Sequence, residues 1–163
     1  LFYGSQPVAL ASRLEIDLVL AKKIYNDFWR MFPGVLNWQK SLMQSYRELG
    51  YVTTMTGRRR HAPMSPNMVY NSCIQGSSSD LTVDAMNRLS ESAEREAKPW
   101  LQAVLNVHDD LTFCIPEGSL EEAIEAIVLA MTTYTYAWVT LPVGVEVSVG
   151  KDWGSLVAIG NFG

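Results

Sequence analysis

Two apolar runs, residues 101–107 and 111–115, are separated only by His108, Asp109 and Asp110. Parallel pairing needs a crossover of a dozen or more residues, so these runs are predicted to fold back on each other as an antiparallel hairpin. Three polar side chains then crowd its tip. Residues 116–119 end the second strand, a helix is expected over 120–137, and the alternating stretch 141–149 reads as a final strand. Strand, strand, helix, strand implies a small antiparallel sheet backed by helices, an α+β design.

Upstream, the periodicity is helical. Residues 7–16 carry a proline in the first turn, where its missing N–H costs little. Asp17 can cap a second helix whose Leu18, Ala21, Ile24, Tyr25 and Phe28 share a face. Pro33 and Gly34 punctuate it, and a third helix runs to Leu49 with Gly50 as its stop. Residues 51–55 are strand-like, and the Thr56-Gly57 turn lets 58–62 return as a second hairpin. A long helix is expected over 68–97, with Gly76 and three serines as an apparent interruption.

Hydrophobic residues make up 48% and charged residues 18% of the 163, which excludes a disordered tail and fits one domain. No apolar run of about 18 residues appears, so no membrane partner is expected. Cys73 and Cys114 lack the spacing of a zinc site or disulfide framework, which points to a reduced, intracellular protein. Cys114, inside an apolar run, is expected in the core. The start, Leu1-Phe2-Tyr3-Gly4, has neither an initiator Met nor a signal-peptide layout and reads as the middle of a longer chain.

The net charge of −4 conceals a partition. Residues 22–60 hold eight basic and two acidic side chains, a balance of +6, whereas residues 80–125 hold eleven acids and three bases, a balance of −8. Such segregation suits a chain that holds a polyanion with one part and a metal with another, and equally suits two solvated helix faces.

Three groups could carry chemistry. Asp109 and Asp110 are adjacent carboxylates that repel unless a cation or solvent relieves them, and a hard cation such as Mg²⁺ takes oxygen ligands of this kind. A solvated Asp-Asp turn looks the same in sequence. The basic run Arg58-Arg59-Arg60-His61 offers guanidinium forks for phosphate, with Arg58 and Arg60 alternating to one face and Arg59 to the other. Asn71 and Gln75, four apart on a helix, can hydrogen-bond the minor-groove acceptors that every base pair offers. Tyr3 can stack on a base. With His61 and His108 the chain's two histidines, no Ser-His-Asp assignment is supported.

In order along the chain, these pieces resemble the C-terminal part of family A DNA polymerases, from the end of motif B through motif C. Tyr3-Gly4 matches the close of motif B, and Phe32-Pro33-Gly34-Val35 matches the family's Tyr-Pro-Gly-Val. Gly50-Tyr51-Val52-Thr53-Thr54 with Thr56-Gly57-Arg58-Arg59 matches its basic hairpin. Asn71, Gln75-Gly76 and Asp80 match its Asn-x-x-x-Gln-Gly-x-x-x-Asp helix, Val107-His108-Asp109-Asp110 its Val-His-Asp-Glu, and residues 147–153 its terminal Val-Gly-x-x-Trp.

The resemblance implies fingers-end helices over 1–50 and a palm portion over 51–163. It implies template-directed deoxynucleotidyl transfer to a primer 3′-hydroxyl by a two-metal mechanism with Mg²⁺. Asp109 would be a metal ligand, and His108 and Asp110 would shape the primer-terminus side. Arg58 and Arg59 would contact the DNA backbone, Asn71 and Gln75 the minor groove, and Tyr3 the templating base. Primer–template DNA and dNTP are the implied partners, together with the remainder of the polymerase, in a bacterial or phage-infected cytoplasm. Motif A with its second aspartate, the nucleotide-binding helix and the thumb lie outside these 163 residues. The chain alone is therefore expected to be inactive, as a fragment or half of a split enzyme. Asp110 replaces the family's Glu and Asn67 an Arg. A single-subunit RNA polymerase fragment and an inactive DNA-binding remnant are the rival readings. The ending Gly160-Asn161-Phe162-Gly163, read into Leu1-Phe2-Tyr3-Gly4, repeats the close of motif B; coincidence, a split gene and a rearranged order remain equally open.

Overall fold

Local signals start and stop each early helix. The computed structural model describes residues 1 and 5–163, in two compact units, Leu1–Ser77 and Ser78–Gly163. Helix α1 (Pro7–Leu14) begins on its proline and ends at Glu15, whose N–H returns to the Ala11 carbonyl. Helix α2 (Leu18–Met31) is capped by Asp17, whose Oδ1 accepts from the Val19 and Leu20 N–H groups at 2.8 and 2.9 Å. Helix α3 (Pro33–Leu49) opens at once on Pro33, so the residues expected to punctuate are its first turn. Gly50, at φ 74°, ends it as expected.

Strand β1 (Tyr51–Thr53) pairs antiparallel with β2 (Arg59–His61), Val52 lying opposite Arg60. Helix α4 (Pro66–Arg95) then runs unbroken through Gly76 and the serines. The apparent interruption is instead a seat for the hairpin. Ser72 and Ser77 turn their hydroxyls back onto the Met68 and Cys73 carbonyls, which keeps them compatible with a helix. The same hydroxyls accept from the hairpin: Arg60 Nη1 donates to Ser72 Oγ at 3.0 Å, and the Met55 N–H to Ser77 Oγ at 2.9 Å. Between them, Arg58 Nη2 donates to the Gly76 carbonyl at 3.2 Å. A Cβ at Gly76 would lie 2.9 Å from Thr54 Cγ2. Thr54 is buried and its hydroxyl is held by Thr56, so it has little room to yield.

In the second unit, the C-terminal half of α4 packs on α5 (Leu120–Thr132). Leu89, Ala93, Leu101 and Ala130 form the core, flanked by Trp100, Phe113, Ala126 and Ile127. Leu101 does not lie in a strand: Pro99–Leu101 is a single 3-10 turn that plugs Leu101 into this core at 2% exposure. The fixed φ and absent N–H of Pro99 suit a turn and not a ladder. Strand β3 is confined to Leu105–Val107 and pairs with β4 (Asp110–Thr112). Arg88 clamps α4 to α5, bonding Asp84 at 3.0 Å and the Ala130 carbonyl at 2.6 Å. Helix α5 stops at Thr132 and not at 137, where two β-branched threonines meet and the chain extends. From that extension Tyr136 donates to Asp84 at 3.3 Å, and burial pushes the Tyr134 hydroxyl up from its ordinary range.

The last expected strand is β5 (Val145–Val149), and an unanticipated β6 (Val157–Phe162) pairs with it antiparallel. Among the described residues the six strands form three separate two-stranded sheets: the basic hairpin stands apart as expected, and the single small sheet expected after it is instead two hairpins, β3–β4 and β5–β6. Apolar strand residues consequently stay exposed, among them Val107, Val157 and Ile159. Cys114, expected in the core, is exposed. Among the described residues no helix is long and apolar enough to cross a membrane.

Two substitutions test the two units. Leu101→Ala removes the core plug and is expected to lower unfolding free energy by about 2–5 kcal/mol. Gly76→Val forces apart two well-packed elements and is expected to cost about 1–3 kcal/mol. Urea unfolding followed by tryptophan fluorescence and circular dichroism checks both; wild-type midpoints would contradict the packing described.

Candidate functional site

Because Val107 pairs with Asp110, the β3–β4 hairpin turns on just two residues, His108 and Asp109. Two-residue hairpins whose twist matches their strands need positive φ in the loop, a role that glycine fills most cheaply. Here His108 takes it at φ 59°. Left-handed backbone costs a side-chain-bearing residue roughly 1–2 kcal/mol, and such outliers concentrate at functional sites. Asn106 braces the turn, its Nδ2 donating to the His108 carbonyl at 3.3 Å and the Asp110 carbonyl at 3.2 Å. This residue was missed in the sequence, although an amide two residues before His108, inside a mostly apolar run, is the signal that marks it.

Asp110 belongs to the β4 ladder and not to the tip, where all three polar residues were expected. The two carboxylates thus sit in different local structures, Asp109 in the loop and Asp110 in the strand. His108, Asp109 and Asp110 are all exposed. Among the described residues no three His, Cys, Asp or Glu side chains gather closely enough to hold a metal by themselves. That donor set still fits Mg²⁺, which characteristically takes one or two carboxylates and completes its shell with phosphates and water.

In the first unit the arginines split as strand alternation demands. Arg58 and Arg60 turn to α4, onto Gly76 and Ser72, while Arg59 lies over the Tyr51 ring at 4.7 Å. Tyr51 also meets its cross-strand partner His61 at 5.4 Å between ring centroids. Seating Arg58 on the Gly76 carbonyl brings it to the same stretch of α4 as Asn71 and Gln75. The Asn71–Gln75 row lies one residue step, about 100°, around the helix from the Ser72–Gly76 row that holds the hairpin. Gln75 is exposed, and Asn71 Oδ1 is buried with no hydrogen-bond partner among the described residues. A buried unsatisfied amide oxygen is costly and calls for a reason. Tyr3 lies outside the described residues. Cys73 is half-buried, and burial pushes its thiol up, away from nucleophilic character. Of the two serines that hold the basic hairpin, Ser77 was read in the sequence only as a small residue and Ser72 was missed; their placement on either side of Gly76 carries nothing about a partner far upstream.

Residues 1–155 match the family model for DNA polymerase family A. The chain is similar to the thermostable DNA polymerase I of Thermus filiformis, at 32% identity over 93% of this chain and 19% of that protein. It is also 31% identical to DNA polymerase I of Mycobacterium leprae, over 95% of this chain and 18% of that protein. DNA polymerase theta of Drosophila melanogaster is 26% identical over 93% of this chain and 8% of its own length. Among solved structures, the POL domain of Pol1 from M. smegmatis, in complex with DNA primer–template and dNTP, superposes with a TM-score of 0.75 at 26% identity. That match covers 87% of this chain and 26% of the other. The chain therefore spans about a fifth of the length of its bacterial relatives. With residues 1–155 of 163 matched, the α+β chain built around these two hairpins belongs to DNA polymerase family A.

Proposed function

We propose that this chain is the fingers-end and palm portion, 1–50 and 51–163, of a DNA-directed DNA polymerase that adds deoxynucleotides to a primer 3′-hydroxyl. One observation carries the reading: a strained two-residue turn presents Asp109 at an exposed hairpin tip, in a chain of this family. Backbone strain maintained at an aspartate-bearing tip suits a carboxylate that must reach a ligand. Asp109 would hold Mg²⁺, with Asp110 able to lend a second oxygen. When bound in a two-metal site, the ions supply charge neutralisation and a more nucleophilic primer hydroxyl. His108, fixed by the turn, would line the primer-terminus side.

Asn71 and Gln75 would donate to purine N3 and pyrimidine O2 acceptors, which are common to all base pairs, so the grip does not depend on sequence. That donation would come from the Asn71 side-chain nitrogen, since its buried Oδ1 is itself an acceptor and cannot meet those groups. Arg58 and Arg59 would meet the DNA backbone, and Tyr3 the templating base. Primer–template DNA and dNTP as partners are supported by what the M. smegmatis structure holds.

Catalysis would require the remainder of the polymerase: motif A, the nucleotide-binding helix and the thumb. Two-stranded sheets are marginal alone, and exposed Leu105 and Val107 on β3 suit a further strand laid beside them. The bacterial relatives favour a bacterial or phage-infected cytoplasm, and the family match favours DNA over RNA synthesis.

Co-expressing the chain with a motif A-bearing remainder of a relative and assaying primer extension with Mg²⁺ tests this. The pair is expected to extend and the chain alone is not. Asp109→Ala should lower the rate on the order of a hundredfold or more, the scale of losing a preorganised electrostatic contact at a reacting centre. Extension that survives Asp109→Ala overturns the assignment. Asn71→Ala and Gln75→Ala should each weaken primer–template binding by about 1 kcal/mol, roughly fivefold, equally for AT-rich and GC-rich duplexes. A loss confined to one composition would contradict a minor-groove role.

A further inference from the structure

Helix α3 has a basic face outside both candidate clusters. Lys40, Met43, Gln44 and Arg47 follow at i, i+3, i+4 and i+7 and so share one side of the helix. Together with Tyr70 of α4 they line a shallow, solvent-open cavity of about 460 Å³. Both charged lining residues are cations. Among the described residues neither has a hydrogen-bond or ion-pair partner, in contrast to Arg30, which is paired with Asp27 at 3.1 Å. The nearby acid, Glu48, accepts from Gln44 Nε2 at 3.0 Å. As the sequence neighbour of Arg47 it points about 100° around the helix from it.

The contents of the cavity suggest what it holds. Two unneutralised cations favour an anion, and the guanidinium fork of Arg47 favours phosphate geometry. Lys40 and Arg47 are two turns apart, about 10 Å along the helix axis. One small anion would need both side chains to converge, whereas a strand carrying a charge every ~3.4 Å of rise offers each cation its own phosphate. Met43 lies between the cations along the helix, and with Tyr70, which lines the same cavity, offers sugars an apolar surface.

We propose that the Lys40–Arg47 face of α3 is a second DNA-backbone contact, which takes two phosphates of one strand of the duplex. The proposal rests on the DNA-binding part of the function above but on none of its residues. Lys40 and Arg47 are exposed, so Lys40→Gln with Arg47→Gln removes charge without opening a core.

Fluorescence anisotropy of the full 163-residue chain with a labelled primer–template duplex, from about 50 to about 200 mM salt, tests it. Each lost phosphate contact flattens the logarithmic salt dependence by about 0.9, so the double variant should be shallower by about 1.8. Over a fourfold rise in salt, that is roughly a tenfold smaller loss of affinity. Circular dichroism checks that the variant is folded. An unchanged slope in a folded variant overturns the proposal. If Asn71→Ala still weakens binding in that case, the reading of the previous section stands without it. The converse result, a flattened slope with no effect of Asn71→Ala, supports this face and removes the minor-groove assignment. No duplex binding by the wild-type chain would overturn both. Calorimetric titration with inorganic phosphate separates a strand from a free anion: saturable binding lost in the double variant, with the DNA slope unchanged, would assign the cavity to a free phosphate and overturn the strand contact.

Discussion

The absence of one methyl group, at Gly76, lets the first unit assemble as it does. A side chain there would meet Thr54 within 2.9 Å, so only glycine allows the β1–β2 hairpin to lie directly on α4. Three bonds then become possible within two helical turns: to the Ser72 hydroxyl, the Gly76 carbonyl and the Ser77 hydroxyl. Each uses a helix group that would otherwise face solvent. Glycine in a helix interior costs about 1 kcal/mol relative to alanine. Three hydrogen bonds, two of them from charged guanidinium groups, offset this with a margin, since such bonds are worth about 1 kcal/mol or more each. The same contact decides which arginines are available. Arg58 and Arg60 spend donors on α4, whereas the Arg59 guanidinium lies over the Tyr51 ring, a geometry that leaves its N–H edge open.

The second unit solves a different problem. Placing two carboxylates side by side is unfavourable, and placing them on a flexible loop would let them separate. The β3–β4 hairpin prevents that separation with a loop of only two residues, a left-handed His108 and the double donation from Asn106. Both carboxylates are therefore held at fixed places on an exposed hairpin, open to a cation. Rigidity at the tip depends on the strands behind it, and each strand has just three residues. Leu101 and Phe113, on either side of the hairpin, tie it to the Leu89–Ala93–Ala130 core. Core packing is thus the support for Asp109, through about eight residues of chain on one side and four on the other.

Local codes made most of the helices legible in the sequence. Asp17 as a cap, Pro7 in a first turn, Gly50 as a stop and the apolar stripe of α4 each act within a few residues, so the sequence alone places them. The basic hairpin was legible too, including the split of Arg58 and Arg60 from Arg59, because strand alternation is also local. What failed depended on distance. Gly76 and its serines look like a helix break until the hairpin 20 residues upstream is laid across them. Leu101 looks like strand because it is apolar, but the core it fills comes from α4 and α5. Two separate hairpins in place of one sheet after residue 100 could not be seen, since strand number along the chain says nothing about which edges meet. The family resemblance added roles to residues whose chemistry was ambiguous, and the matched family is the same one. Among the described residues, the structure brings Arg58 to the stretch of α4 that bears Asn71 and Gln75, which spacing alone did not relate.

The division into two units also explains the charge partition. Residues 1–77 carry nine basic and four acidic side chains, a balance of +5, and residues 78–163 carry four basic and thirteen acidic, a balance of −9. The segregation therefore follows the structural boundary and is not an accident of where a window is drawn. The second unit, taken by itself, therefore repels anions. Internal pairing relieves little of that field: Lys98 bonds both Glu96 and Glu122, and Arg88 takes Asp84, which leaves most of the thirteen acids without an ion pair among the described residues. A polyanion can approach Asp109 closely only if cations accompany it. Each unit thus carries its own field, cationic for Leu1–Ser77 and anionic for Ser78–Gly163, and the exposed carboxylates of Asp109 and Asp110 belong to the anionic one.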